Sequence, residues 1–533
     1  MAQPSAPDPA SVAREVERTL SAPDDWALPA SPVAGLAAED AGTLDLDALY
    51  LDTPDLRLLR RGVTLRRRGG GDDAGWHLKL PVGDDARDEV RRPLGPDDAP
   101  GPGQDPAPRP PEPLADLVAG LARGAPVVPG ARLRTTRRVV LLHDGDGPPL
   151  VAVADDRVEA VRLADPADGT GPPSSAWREV EVELLPAAAD ADDEAAPLDR
   201  VVDALVAAGA ATAPGAPKLL RALGLPAGWA AGRGEPPGPS SSAGDVVAAA
   251  VRDQVDALLL HDPAVRLDRP DAVHRARVAA RRLRSVLGAF RPLLDRSVTE
   301  PVRAELRWWG RALGDARDAE VARDRVRAVL DATPDELVVG PVRARVVDEL
   351  DAAYRDAWRG AVEQMRGERY LALLDALEAL AAEPPLDPSA GEDARDVLPA
   401  LARRTWRRTR RRVRAADAAT GERRETLLHD VRKAAKRARY AAEAMAPALG
   451  AKAERFAARL EAVQDALGEH HDAVGLARAL RALGMRANLS GENGFSYGLL
   501  VGVERERADD ALEGYEAAWA RARRRGYRRW TRS

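Results

Sequence analysis

Cysteine is absent from all 533 residues, so the chain carries no disulfide frame, no thiolate nucleophile and no cysteine-ligated zinc. Aromatic residues make up only 4% of it. Packing therefore falls to alanine, leucine and valine, a composition suited to close-packed helices. No run of 18 apolar residues occurs, so no membrane-spanning helix is expected. The opening MAQPSAPDPASVARE also lacks the apolar centre of a secretory signal. Together these absences lead to the expectation of a cytoplasmic protein. Lysine is scarce too, with five positions among 79 basic residues. Each lysine is therefore informative, above all Lys79, Lys218, Lys433 and Lys436.

The length calls for more than one core, and the charge divides accordingly. Residues 1–225 carry 24 basic and 38 acidic side chains, and residues 244–533 carry 54 and 46, within a net charge of −6. An acidic module is joined to a basic one. Residues 8–225 read as strands broken by turns: EVERTL, VTLRRRG, WHLKLP, RRVVLL, LVAVADD and WREVEVELL largely alternate polar with apolar side chains. Residues 93–113 read as a Pro-rich loop, 198–209 and 218–223 as helices. Residues 226–243, rich in Gly, Pro and Ser, read as a flexible linker. From 244 to 528 the period becomes helical, with breaks near Pro263, Pro292, Pro334, 384–388, 420–421 and 487–494 predicting roughly eight helices.

Those helices contain a repeat. VHRARVAARRLRSVLGAF at 273–290 returns as LHDVRKAAKRARYAAEAM at 428–445. His274, Arg277, Arg281, Arg282 and Arg284 become His429, Arg432, Lys436, Arg437 and Arg439. Positions +3, +7 and +10 from each histidine share one helical face. A second pair, LGDARDAEV at 313–321 and LGEHHDAVG at 467–475, has nearly the same offset. The helical region is thus a duplicated unit, with halves at about 244–388 and 389–528. Cations stacked along a helix repel one another and call for an extended anion; the alternative is a solvated charged face. Residues 403–439 hold fifteen basic side chains, yet aromatics for base stacking are few, Trp406 and Tyr440 being isolated, so nucleic acid is disfavoured. An arginine at +3 from each histidine argues against a metal there, and His470 and His471 point apart on a helix, which favours a structural role.

In the strands, Glu15, Glu17 and Thr19 share a face, as do Glu179, Glu181 and Glu183; Thr64, Arg66 and Arg68; and His77 and Lys79. Asp156 falls with Ala152 and Ala154, away from Val151 and Val153. Either each strand shows a charged face to solvent, or these faces converge on one lumen where carboxylates hold a hard cation and basic groups hold phosphoryl oxygens.

Several of these segments resemble the CYTH, or triphosphate tunnel metalloenzyme, family. EVERT is similar to its ExExK opening, and YLDTPDLRLLRRGVTLRRR, WHLKLP, WREVEVEL and PKLLRAL to later segments. The resemblance implies an antiparallel eight-stranded tunnel barrel of the α+β class. It further implies Mg²⁺ or Mn²⁺ held by Glu15, Glu17, Asp156, Glu181 and Glu183, and a linear triphosphate bound by Arg66, Arg68, Lys79, Arg137 and Lys218. Arg134 is a weaker substitute for Arg137. Glu15, Glu17, Lys79 and Glu181 are the expected catalytic groups. The motif lysine, however, is Thr19, and Arg18 points to the other face; a lysine restored at 19 is expected to raise turnover. VHRARVAARRLRSVL, LHDVRKAAKRARYAAEA and LEAVQDALGEHHDAV resemble the CHAD domain. That resemblance implies an all-α pair of four-helix bundles binding inorganic polyphosphate through His274, Arg277, Arg281, Arg282, Arg284, His429, Arg432, Lys433, Lys436, Arg437 and Arg439. The resulting expectation is a multidomain polyphosphate-binding protein with an inorganic triphosphatase tunnel. The alternatives are a non-catalytic scaffold with a degenerate tunnel and, third, a nucleotidyl cyclase.

Overall fold

The structure is a computed structural model, described here for residues 11–29, 33, 35–82, 86–95, 108–163, 174–186, 196–213, 217–226, 229, 236–524 and 530–531. The chain divides into two compact units, 1–232 and 233–533.

Eight antiparallel strands build the first unit: β1 (Ser11–Ser21), β2 (Ala37–Asp52), β3 (Thr64–Gly69), β4 (Gly75–Val82), β5 (Ala86–Pro93), β6 (Val128–His143), β7 (Pro149–Arg162) and β8 (Ser174–Leu184). They are ordered β5-β4-β3-β2-β6-β7-β8-β1, and a β1–β5 pairing closes the barrel. Strand β1 makes that closure by changing partners: Ser11–Val16 pairs with β5, and Glu17–Ser21 with β8. A two-residue strand β9 (Ala211–Thr212) extends β1. Outward-pointing Val151, Val153, Val180 and Val182 form a core with Leu198, Val201 and Leu205 of helix α2 (Ala196–Ala207). On the inner face Ala131, Leu133, Val158, Ala160 and Trp177 pack against Leu219 and Leu220 of helix α3 (Lys218–Ala222), which closes that end of the lumen. The rest of the inner face carries charged and small side chains, because alternation there reverses the usual rule: on β7 and β8 the valines face out toward the covering helix.

Three elements differ from the sequence reading. Strand β5, ARDEVRRP, offers one large apolar residue, Val90, and charged groups on both faces, so no period-2 signal reaches the sequence. Strand β2 begins with nine exposed residues and gives a weak signal for the same reason. Within the stretch read as loop up to residue 113, helix α1 begins at Glu112 and runs to Ala122. Residues 96–107 of that loop and most of the linker, 227–228 and 230–235, fall outside the described residues, as does the expected domain start at residue 8.

Nine α-helices make up the second unit among the described residues: α4 (Ala243–Arg266), α5 (Ala272–Ala289), α6 (Arg296–Asp331), α7 (Val342–Arg366), α8 (Glu368–Ala382), α9 (Ala394–Asp417), α10 (Gly421–Leu449), α11 (Ala451–Leu489) and α12 (Phe495–Ala522). Two boundaries fall outside the expected breaks: Gly367, a single extended residue splitting α7 from α8, and Gly450 between α10 and α11. The break expected near Pro263 comes one turn later, where α4 ends at Arg266. In the first half α4 packs on α5, α5 on α6 and α6 on α7; in the second, α9, α10, α11 and α12 do the same. The halves meet where α5 packs on α10 and α4 on α9. Reciprocal hydrogen bonds mark the join: Ala243 N–H donates to Glu392 O at 2.9 Å, and Ala394 N–H to Ser241 O at 3.1 Å. Ser242 and Asp393 cap the two helices that start there, their side chains accepting from the first-turn N–H groups.

Candidate functional site

Two clusters of ionisable side chains stand out, one in each unit. In the barrel, strand parity delivers Glu15, Glu17, Arg66, Lys79, Arg137, Asp156 and Glu181 to the inner face, and docking of α3 brings in Lys218 as its first residue. The groups form two connected nests. In the first, Lys79 Nζ lies 2.5 Å from Glu15 and 3.5 Å from Glu17, and Arg87 reaches Glu17 at 3.1 Å. Glu15 also takes Arg91 at 3.0 Å. Burial, opposed by Lys79, pushes the Glu15 carboxyl up to about 7. In the second nest Lys218 Nζ contacts Asp156 and lies 2.9 Å from Glu179 and 3.2 Å from Glu181. Arg137 forms a fork on Asp156 at 2.7 and 2.6 Å and also reaches Glu181. Burial alone would raise Glu181, but Lys218, Arg137, Lys79 and Arg66 together hold it well below the carboxylate range. A cavity of about 40 Å³, lined among others by Glu17, Thr19, Arg66, Arg87, Glu181 and Lys218, runs between the nests. It is small because cations and carboxylates already neutralise one another across it.

Ligand-atom positions on Asp156, Glu179 and Glu181 fall within 4.8 Å of one another. Three carboxylate oxygens are a hard donor set and fit a hard divalent cation; the Lys218 ammonium now provides their positive charge. The three-carboxylate group differs from the expected metal set. Glu179 completes it, because β7 and β8 pair Asp156 with Glu179, whereas Glu183 stands opposite Glu17 and Ala152. Parity alone places Glu179, Glu181 and Glu183 together, and only the register separates them. Glu15 and Glu17 lie on the other nest. Arg66 is held by Tyr50 OH at 3.2 Å and lies 3.8 Å from Glu89. Arg68 is buried but engaged by Asp73 of the β3–β4 turn, and burial beside Arg66 and Arg137 lowers it to about 9. Arg134, in contrast to Arg137, is exposed. Sequence reading passed over Glu89, fully buried and 2.9 Å from His77 Nδ1, with Arg87 and Arg91, because the strand carrying all three was not recognised.

In the helical unit the two copies of the repeat converge. His274, Arg277, Arg281 and Arg284 of α5 and His429, Arg432, Lys433, Lys436 and Arg437 of α10 line one cleft of about 700 Å³. Helices α6 and α11 add Arg317, Arg325, His471, Asp318 and Asp472. The cleft is short of counter-charge. Burial, then Arg281, Arg432 and Arg277, pushes Lys436 down to about 7, with Asp472 opposing weakly. Burial, then Arg437, Arg307 and Arg303, lowers Arg284 to about 10. Both repeat histidines fall to about 4, His274 through burial and Arg317, His429 through burial and Lys433. Arg277 pairs with Asp318 at 3.0 Å. Its repeat mate Arg432 lies over Gly468, where a Cβ would come within 3.0 Å of the guanidinium.

Two expected members leave the cleft. Arg282 turns to Glu443 at 3.3 Å, and Arg439 to Glu443 and Glu461, both at 2.6 Å. Thus the two halves use different positions at the far end, Arg284 in one and Arg437 in the other. His470 is structural, its ring nitrogens 3.0 Å from Ala508 O and 2.6 Å from Glu425. His471, also expected to be structural, opens into the cleft and packs against His429 with ring centroids 4.4 Å apart and planes tilted by 31°. The internal repeat hides this residue, because Arg317 holds the matching position.

Comparison with known proteins places both units. A CYTH domain matches residues 13–198 and a CHAD domain residues 249–481. Two uncharacterized proteins of Mycobacterium tuberculosis, MT2285 of strain CDC 1551 and Rv2226 of strain H37Rv, are each 39% identical over 513 residues, covering 95% of this chain and 95% of their own. Among solved structures, PptA from Streptomyces chartreusis is 25% identical, covers 52% of this chain and all of its own, and has a TM-score of 0.45. The CHAD domain from the plant Ricinus communis is 23% identical, with 54% and 95% covered and a TM-score of 0.42. With an eight-stranded closed barrel followed by a helical region, the chain belongs to the family of proteins in which a CYTH domain precedes a CHAD domain.

Proposed function

We propose that this protein binds inorganic polyphosphate through its helical unit and hydrolyses a linear triphosphate in its barrel. The observation that carries the reading is the cleft. Two copies of one helix bring their cations to a single cavity, where burial and then mutual repulsion lower Lys436 and Arg284. A dense, flexible anion relieves that repulsion. Arginine forks suit its non-bridging oxygens and Lys436 serves as a point charge. Trp406 and Tyr440, the aromatics of the basic stretch, are buried, which leaves nucleobases no such platform there. No helix among the described residues is long and apolar enough to cross a membrane, in keeping with the cytoplasmic setting we propose.

In the barrel, Arg66, Lys79, Arg137 and Lys218 would hold phosphoryl oxygens and balance the charge that builds on the leaving pyrophosphate as water attacks the terminal phosphorus. Asp156, Glu179 and Glu181 would hold Mg²⁺ or Mn²⁺, and Glu17 faces the same cavity. The ion, when bound, supplies Lewis-acid stabilisation of phosphoryl oxygen and lowers the pKa of water. Binding requires Lys218 and Arg137 to exchange carboxylate partners for phosphate oxygens. Polyphosphate held by the tethered helical unit would raise the local concentration of chain ends.

A scaffold without turnover is the second reading, favoured by Thr19 and by the existing neutralisation of the carboxylates. Phosphate release from inorganic triphosphate, with Mg²⁺ or Mn²⁺ and with chelator, decides between them. Metal-dependent release supports hydrolysis; polyphosphate binding without release supports the scaffold.

The cleft makes a further demand. Lys436 is largely neutral in the free protein above about pH 7 and must be charged to hold phosphate. Binding at pH 8 is therefore expected to take up close to one proton per cleft, read from calorimetry in buffers of different ionisation enthalpy. Lys436→Arg is expected to bind with that uptake removed; an unchanged uptake would assign the proton elsewhere.

A further inference from the structure

The inner face of β1 reads Glu15, Glu17, Thr19, so its third inward position carries no charge. A cation does reach this place, from the neighbouring strand. Arg87 lies on β5 opposite Glu15, at the point where β1 leaves β5 and passes to β8. Its Nη1 lies 3.1 Å from Glu17 Oε1, while Lys79 approaches the other oxygen at 3.5 Å. Arg87 lines the same cavity as Thr19, Glu17, Arg66 and Lys79, and its side chain is 23% exposed, neither sealed off nor solvated. Arg91, on the same face of β5, turns instead to Glu15 and Glu89, is 38% exposed and does not line the cavity.

Resting on the triphosphate reading of the tunnel, we infer that Arg87 is a triphosphate-binding residue that supplies from β5 the positive charge Thr19 withholds from β1. Arg87 Nη1 donates to Glu17, and a guanidinium carries five donors in a fixed fork that can exchange partners. When a triphosphate enters, Lys79 remains beside Glu17 and Arg87 turns part of its fork to a phosphoryl oxygen. The bland alternative is that Arg87 serves only as the counter-ion of Glu17. The two differ in whether a cation elsewhere can replace it. A lysine at position 19, one inward step from Glu17 on the same strand, can replace a phosphate ligand but not a β5 side chain needed to place Glu17.

The test uses the full chain and inorganic triphosphate, with binding measured calorimetrically in chelator and phosphate release measured with Mn²⁺. Arg87→Gln is expected to weaken metal-free binding by roughly tenfold to a hundredfold. Thr19→Lys added to Arg87→Gln is expected to restore binding to within about threefold of wild type. In the wild-type background Thr19→Lys is expected to change it by less than about threefold, a non-additivity that marks two cations sharing one task. Binding by Arg87→Gln equal to wild type, or a loss that Thr19→Lys does not repair, overturns the inference. So does a gain above about tenfold from Thr19→Lys alone, which also remains informative if Arg87→Gln does not fold. Failure of the wild-type chain to bind triphosphate overturns the tunnel reading with it, whereas wild-type binding with an indifferent Arg87→Gln removes this inference alone.

Discussion

Replacing Arg281 and Lys436 together with glutamate is expected to weaken polyphosphate binding about a thousandfold, or ~4 kcal/mol. These residues come from opposite halves of the duplicated unit and line the same cleft. Reversal removes two attractions and installs two repulsions where the anion must lie. Loss of fold would mimic such a result, so stability is the control. Lys436 has a folded pKa of about 7 against an ordinary lysine value of 10.5. Between those pH values the unfolded chain binds the proton and the folded chain does not, so stability rises as pH climbs through that window. Lys436→Met is therefore expected to raise Tm by a few degrees at pH 7 while lowering affinity, and to lose the rise in stability toward pH 10. Affinity and stability moving in opposite directions would identify a cleft built for a ligand at the expense of the free fold. If both fall together, Lys436 is a packing residue.

In the barrel the largest effect is expected at Glu181, which lines the cavity and faces both Arg137 and Lys218. Glu181→Gln is expected to lower kcat/KM for inorganic triphosphate with Mn²⁺ by about a thousandfold, or ~4 kcal/mol. Polyphosphate binding by the helical unit should stay unchanged. Lys218→Met separates the roles of cation and ion. Removing the ammonium leaves Asp156, Glu179 and Glu181 with less positive charge, so the apo protein is expected to lose stability by roughly 3 kcal/mol. Affinity for Mn²⁺ is expected to rise about tenfold, since the ion no longer competes with a lysine. Added Mn²⁺ should then recover the lost stability, while triphosphate affinity falls. No recovery with Mn²⁺ would show that these three carboxylates do not form the ion's site.

The inner faces of five strands could be read from alternation, because charged residues at every second position leave a plain signal. Glu15, Glu17, Arg66, Lys79 and Asp156 were each assignable to the polar face of their own strand in that way, and a shared lumen was implied only by the family resemblance. Register could not be read, since Glu179, Glu181 and Glu183 have equal parity and only pairing with β7 brings Glu179 to Asp156. Strand β5 escaped because a strand charged on both faces has no apolar partner to set its period, and Glu89, Arg87 and Arg91 escaped with it. The repeat located the cleft histidines, yet identical spacing did not fix which arginines enter. Arg439 turns to Glu443 and Glu461, acids supplied by its own helix and by α11. The helix boundary at Gly367, a single residue with no turn cluster around it, was likewise invisible.

Whether this chain's cations are arranged for phosphoanhydride chains is decided by a salt-titrated binding comparison. Full-length protein is titrated with inorganic polyphosphate and with single-stranded RNA of equal phosphate number across a range of ionic strength. Polyphosphate is expected to bind more tightly at every salt concentration, with RNA affinity lost first as salt rises. RNA binding as tight as polyphosphate, or tighter, would contradict that expectation.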